Sequence, residues 1–191
     1  MRKLVYYVGV SVDGYLAGPD GSFDFFPLGD DLAGWIGAHV PETLPTHARA
    51  HFGVESAANQ RFDTVVMGLG TYRPALDAGI PSPYRHLRQY VVSTTLGASG
   101  DPAVEVVAGD PVALVRSLKA EDSAFDVWLA GGGVLAGAVL PEIDELIVKS
   151  YPIVVGDGIS AFSGAFGPTA FTPRDRESFA SGALVTHYTR A

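Results

Sequence analysis

The residues spaced for chemistry in this chain are glycines at the ends of apolar runs, with aspartates close beside them. The densest group lies in residues 126–141, DVWLAGGGVLAGAVLP. Residues 127–130 suit a short buried strand, and Gly131, Gly132 and Gly133 break it. Val134, Leu135, Val139 and Leu140 then follow a helical spacing that Pro141 stops. With no Cβ in the way, backbone N–H groups there can come close to a ligand. The first helical turn adds unpaired N–H groups and the positive end of a dipole. That chemistry suits a phosphate, although a tight turn with no ligand has the same composition.

A second glycine-rich stretch, residues 11–24 (SVDGYLAGPDGSFD), follows the first apolar run and carries Ala17 and Gly18 together with Asp13 and Asp24. A loop directly after a strand is held by a rigid sheet while its tip moves, a common setting for a binding site. Gly68, Gly70 and Thr71 form a third group between a strand and a helix start, and Ser93 and Thr94 close another short strand. Asp30 and Asp31 precede Leu32, Trp35 and Ile36, where an acid can equally serve the dipole of a helix start. His47 and His51 have the i, i+4 spacing of a two-histidine metal site. No third ligand accompanies them, so a solvated helix face is the favoured reading and no metal is expected.

The elements that position these groups follow from pattern. Strands are expected at residues 4–10, 64–67, 90–92, 104–107, 127–130 and 144–151, with two more at 169–174 and 183–188. Helices are expected after Asp30, from a Thr46 cap through Arg61, starting within residues 68–72, and from an Asp110 cap with Pro111 first. Residues 74–83 read as turns. Strands alternating with helices define an α/β fold with a mostly parallel sheet, and the helix-free tail adds an antiparallel hairpin at one edge. Ligands in such folds bind outside the carboxyl ends of the strands. The four polar or glycine-rich groups all follow strand ends, so parallel strands would gather them on one rim around a nucleotide-sized cleft.

Composition bounds the partners. The 191 residues suit one domain over residues 1–191, and 47% hydrophobic with 18% charged residues is ordinary for a globular protein. A net charge of -8 argues against a nucleic-acid or anionic-membrane partner, both of which reward clustered Lys and Arg. The absence of cysteine excludes disulfides and thiolate metal sites. The amino-terminal run is too short for a signal sequence or a membrane span, so a cytoplasmic protein is expected.

The residues also carry a resemblance. SVDGYLA at 11–17, MGLGTY at 67–72, VVST at 91–94, AGGG at 130–133 and GDGISAF at 156–162 occur in the order seen in the dihydrofolate reductase-like superfamily. More narrowly, the chain resembles the reductase domain of the riboflavin-biosynthesis deaminase–reductase and its small stand-alone bacterial relatives. The resemblance implies a three-layer fold and hydride transfer from a nicotinamide cofactor, NADPH or NADH, to a small heterocyclic or carbonyl substrate. It places Ala17 and Gly18 at the nicotinamide, and Gly68, Gly70 and Thr71 at phosphate. Ser93 and Thr94 fall at the adenosine ribose side, and Gly131, Gly132, Gly133, Val134 and Leu135 at a pyrophosphate turn with a cis Gly-Gly peptide. Asp31 resembles the helix-start acid that delivers a proton, with Asp24 as its rival and Asp13 as a third candidate. Leu69, Thr94 and Val134 stand where relatives often carry basic residues, and Tyr15 where the riboflavin-pathway motif has Lys. Homodimers are common among such relatives, and the apolar last strand, with Val185 and Tyr188, is expected to need cover. The competing classes are a non-catalytic nucleotide-binding module and a purely structural dimer.

Overall fold

The computed structural model describes residues 1–191. In chain order the elements are β1 (Leu4–Ser11), β2 (Tyr15–Ala17), α1 (Asp30–His39), a 3-10 turn (Pro41–Thr43), β3 (Phe62–Gly68), α2 (Leu69–Asp77), β4 (Arg88–Val92) and β5 (Val104–Val107). There follow α3 (Pro111–Ala120), β6 (Asp126–Gly131), α4 (Gly133–Ala138), a second 3-10 turn (Leu140–Glu142), β7 (Ile143–Tyr151), β8 (Ile159–Ser160), β9 (Phe171–Ser178) and β10 (Leu184–Arg190). Eight strands form one sheet in the order β5-β4-β3-β6-β1-β7-β10-β9, and β2 pairs with β8 in a small second sheet. From β5 to β7 every neighbour is parallel. The β9–β10 hairpin closes the other edge antiparallel. No helix is long and apolar enough to cross a membrane.

The sequence dictates this arrangement through burial. β1 (LVYYVGVS) is buried along nearly its whole length, as a central strand covered on both faces must be. Leu32, Trp35 and Ile36 of α1 and Tyr72 of α2 pack on one face with Val5, Tyr7, Met67 and Trp128. Val115 and Leu118 of α3 and Leu135 and Ala136 of α4 pack on the other with Tyr6, Val10, Val66 and Leu129. Each fully buried Val, Leu, Ile or Met side chain among them contributes about 1.5–3 kcal/mol. The Asp110 cap forms as expected, accepting from Val112 N at 2.8 Å.

Two expectations fail. No helix forms between Thr46 and Arg61; successive turns run there instead, with Ala48 N donating to Pro45 O, His51 N to Ala48 O and Gly53 N to Ala50 O. The cause is Arg49, whose buried guanidinium donates to Pro41 O (2.8 Å) and Ala57 O (2.5 Å) and so satisfies carbonyls of a non-helical coil. Thr46 Oγ1 accepts from Arg85 N (2.9 Å) and bonds the His86 ring (2.8 Å) rather than capping a helix. His47 and His51 therefore share no helix face, and no group of three or more His, Asp or Glu side chains is placed to hold a metal ion. The second failure is at residues 74–77, which continue α2 instead of turning. Pro74 removes one hydrogen bond inside the helix, which ends one turn later at Asp77.

Candidate active site

Neighbouring strands β3 and β6 send their helices to opposite faces, α2 to one and α4 to the other. A crevice opens at such a switch point, outside the carboxyl ends of the strands. Both helices start there on glycine, Gly68 and Gly132, with no side-chain cap. A Cβ on Gly68 would lie 3.3 Å from Gly132 N and 3.7 Å from Leu135 Cβ, so the two starts are in close contact and a side chain there would crowd them. The Gly131–Gly132 peptide is cis, and Gly131 has φ +117°.

The glycines of this rim divide by what fills the space of the missing side chain. A Cβ on Gly132 would meet only Thr71 Oγ1, at 3.5 Å, and one on Gly70 would meet nothing within 4 Å. Protein does not occupy that space. Gly133 differs, because its Cβ would lie 2.0 Å from Ser160 O. It serves packing of the protein's own chain. Leu135 turns its side chain into the core, leaving only its backbone for a ligand, whereas Val134 is exposed. Ser93 is buried and its Oγ accepts from Thr95 N (3.2 Å) and Leu96 N (3.0 Å), which shapes the turn after β4; Thr94 beside it is exposed.

A second pair of loops borders the crevice. Ala17 of β2 pairs with Ile159 of β8, and Ala161 N donates to Gly14 O at 2.9 Å. Gly158 makes this closeness possible, since a Cβ there would lie 2.2 Å from Ala17 O. Gly18 is buried and its N–H donates to Ser22 O at 2.8 Å. Asp13 locks the two loops together, accepting from Ser11 Oγ (2.6 Å), Val155 N (3.1 Å) and Gly156 N (2.7 Å). The Ser11 hydroxyl and these backbone N–H groups hold its pKa down at about 2.

The three candidate acids are thus spread rather than gathered. Asp13 is committed as an anion to the loop clamp. Asp31 stands exposed at the start of α1, accepting from Leu32 N (2.8 Å) and from Ala180 N (2.7 Å) in the β9–β10 loop. Asp24 is exposed in the connection before α1. Sequence reasoning passed over a basic residue, Lys149 on β7. Strand alternation alone places it on the same face as Ile147 and Tyr151, whose side chains are buried under α1. That was the available signal.

A mostly parallel sheet with an antiparallel tail, and a glycine-lined crevice at its switch point, define an α/β protein of the dihydrofolate reductase-like type. The chain belongs to the RibD C-terminal domain family, which it matches over residues 2–185. It is 29% identical over 192 aligned positions to the uncharacterized protein YwjB of Bacillus subtilis strain 168, covering 100% of this chain and 99% of that one. A crystal structure from Shewanella sp. PV-4, of a protein provisionally assigned to riboflavin biosynthesis, superposes with TM-score 0.75 at 23% identity, covering 100% of this chain and 99% of that one. The Thermotoga maritima diaminohydroxyphosphoribosylaminopyrimidine deaminase/5-amino-6-(5-phosphoribosylamino)uracil reductase superposes with TM-score 0.66 at 15% identity. There the match takes in all of this chain and 57% of the larger protein. At these identities the two structures establish the fold. The family includes NADPH-dependent reductases.

Proposed function

We propose that this protein is a reductase that binds NADPH across the β3–β6 crevice and reduces a small heterocyclic or carbonyl substrate. One observation carries the reading: two uncapped helix starts meet over Gly68 and Gly132, and the space above Gly70 and Gly132 is left open by the protein itself. Unpaired N–H groups at adjoining helix starts, with the Thr71 hydroxyl between them, fit a diphosphate. The bound nicotinamide would supply the hydride. The chain's own part is to hold the dinucleotide through Gly68, Gly70, Thr71 and Gly131–Val134, and to border its reactive end with Ala17 and Gly18. Leu69, Thr94 and Val134 offer no cation to a 2′-phosphate, so the advantage of NADPH over NADH should be small.

A second reading, a nucleotide-binding module without chemistry, draws on the acids: Asp13 and Asp31 both spend their carboxylates on backbone N–H groups. Titration with NADPH and NADH, then oxidation assays with pterins, quinones and dicarbonyls, separates the two. Binding with turnover supports the reductase, and binding without turnover across the panel supports the module. Absence of affinity for either dinucleotide overturns both.

A further inference from the structure

Lys149 is an ammonium without a counter-ion on the face that α1 covers. Its β7 position pairs in register with Gly9 of β1, two residues before each strand reaches the rim at Ser11 and Tyr151. Gly9 makes the room: a Cβ there would lie 3.1 Å from Tyr151 Cε2 and 3.7 Å from Lys149 Cε. Lys149 Nζ stands 4.3 Å from the centroid of the Tyr7 ring, and the Tyr151 ring stacks on Phe26 at 4.7 Å. Burial lowers the lysine's pKa, and no carboxylate forms an ion pair with it. Lys149 is nonetheless part-exposed. Tyr7 Oη, at the end of the same ring, is a buried hydroxyl that makes no hydrogen bond of good geometry, with the Thr43 hydroxyl beside it. A cation withdrawn from water costs free energy that an aromatic face offsets only in part. An arriving anion would supply the rest.

We propose that Lys149 is the substrate-recognition cation of the cleft, and that the substrate is a small planar ring bearing an anionic oxygen. Phe26, the part-exposed ring of this group, suits the flat ring, with the buried Tyr7 and Tyr151 rings behind it, and the ammonium suits the oxygen. The inference deepens the reductase reading and rests on it for the position of the cofactor.

The test uses the full chain, wild type and the variants Lys149→Met and Lys149→Arg, with benzoate, salicylate and orotate as anionic probes and benzamide as the neutral control. Binding is read from tryptophan fluorescence, since Trp128 lies 6.2 Å from Tyr7, with and without NADP+. NADPH affinity and the thermal midpoint are measured on the same samples. At least one anion should bind wild type ten-fold or more tightly than benzamide. Lys149→Met should abolish that preference with NADPH affinity within two-fold of wild type and no fall in midpoint, and Lys149→Arg should restore most of it. Equal binding of anions and benzamide, no binding of any probe, or a preference that survives in Lys149→Met would each overturn the inference. Failure to bind NADPH while the anion preference depends on Lys149 would sink the reductase reading and leave the anion site standing. Turnover of NADPH with no effect of Lys149→Met would do the reverse.

Discussion

At the scale of single residues, Asp13 shows how a plausible catalytic acid is spent on architecture. Its carboxylate joins the end of β1 to residues 155 and 156, and its pKa falls to about 2. A carboxyl with a lowered folded-state pKa stabilises the fold above its unfolded value of about 3.9, and that stabilisation is lost as pH falls through the folded value. Acid titration of the wild type should therefore show stability declining as pH falls from about 4 to about 2, with Asp20, Glu121 and Glu145 contributing as well, and Asp13→Asn should make that part of the curve shallower. Amide exchange at Val155 and Gly156 should quicken in the same variant. Unchanged exchange would show that the clamp holds nothing. The sequence made Asp13 prominent because it follows a strand, but the partners lie on a loop more than 140 positions away. No local pattern reveals such a bond.

Elements were easier to read than the contacts between them. The parallel strands of the main sheet were visible as short apolar runs, because central parallel strands are buried on both faces, whereas the outer strand β9 is charged and exposed. The helix expected after Thr46 was lost to Arg49, a tertiary effect that propensity cannot see. The glycine run at the start of α4 was legible as a turn, but the division of labour within it was not: Gly132 borders open space and Gly133 meets Ser160 O. Opposite outcomes follow for two adjacent substitutions. Gly132→Ala should leave the thermal midpoint nearly unchanged and weaken NADPH by at least ten-fold, about 1.4 kcal/mol. Gly133→Ala must displace the β8 segment and should cost about 1–3 kcal/mol of stability. Equal losses of stability in both would assign both glycines to packing. At the opposite end of the sheet Arg2, with its side chain fully buried, ties the chain start to Asp63, to Glu121 (2.7 Å), to Thr64 Oγ1 (3.0 Å) and to Phe125 O (2.9 Å). Arg2→Met should cost about 3 kcal/mol, the low end for a broken buried pair because the acids are partly exposed. NADPH affinity of the folded variant should not change, since the rim lies at the other end of the strands.

For the whole molecule, the two edges of the sheet bear on assembly. The apolar last strand, β10, is not an edge: β9 covers it, and Val185 is buried. β9 is the outer strand, and its run Pro173, Arg174, Asp175, Arg176 and Glu177 is exposed. Proline and charges on an edge oppose pairing with another sheet. Continuing the sheet through β9 is therefore a poor route to a dimer. The better surface lies along the late loop, where Val154, Ile159, Phe162 and Phe166 are exposed, Phe166 at 95%. Val134 of α4 is exposed as well, at 75%, and α4 is packed against this loop through Gly133 and Gly137. Monomers seldom leave large apolar side chains grouped in this way. We propose a homodimer formed through the 154–166 surface, which would also brace the loop that Asp13 clamps. Light scattering at tens of micromolar should give twice the 20.0 kDa chain mass, and Phe166→Ser with Val134→Ser should shift the protein toward monomer. A wild-type monomer would end the idea, and a dimer unmoved by the double variant would place the interface elsewhere.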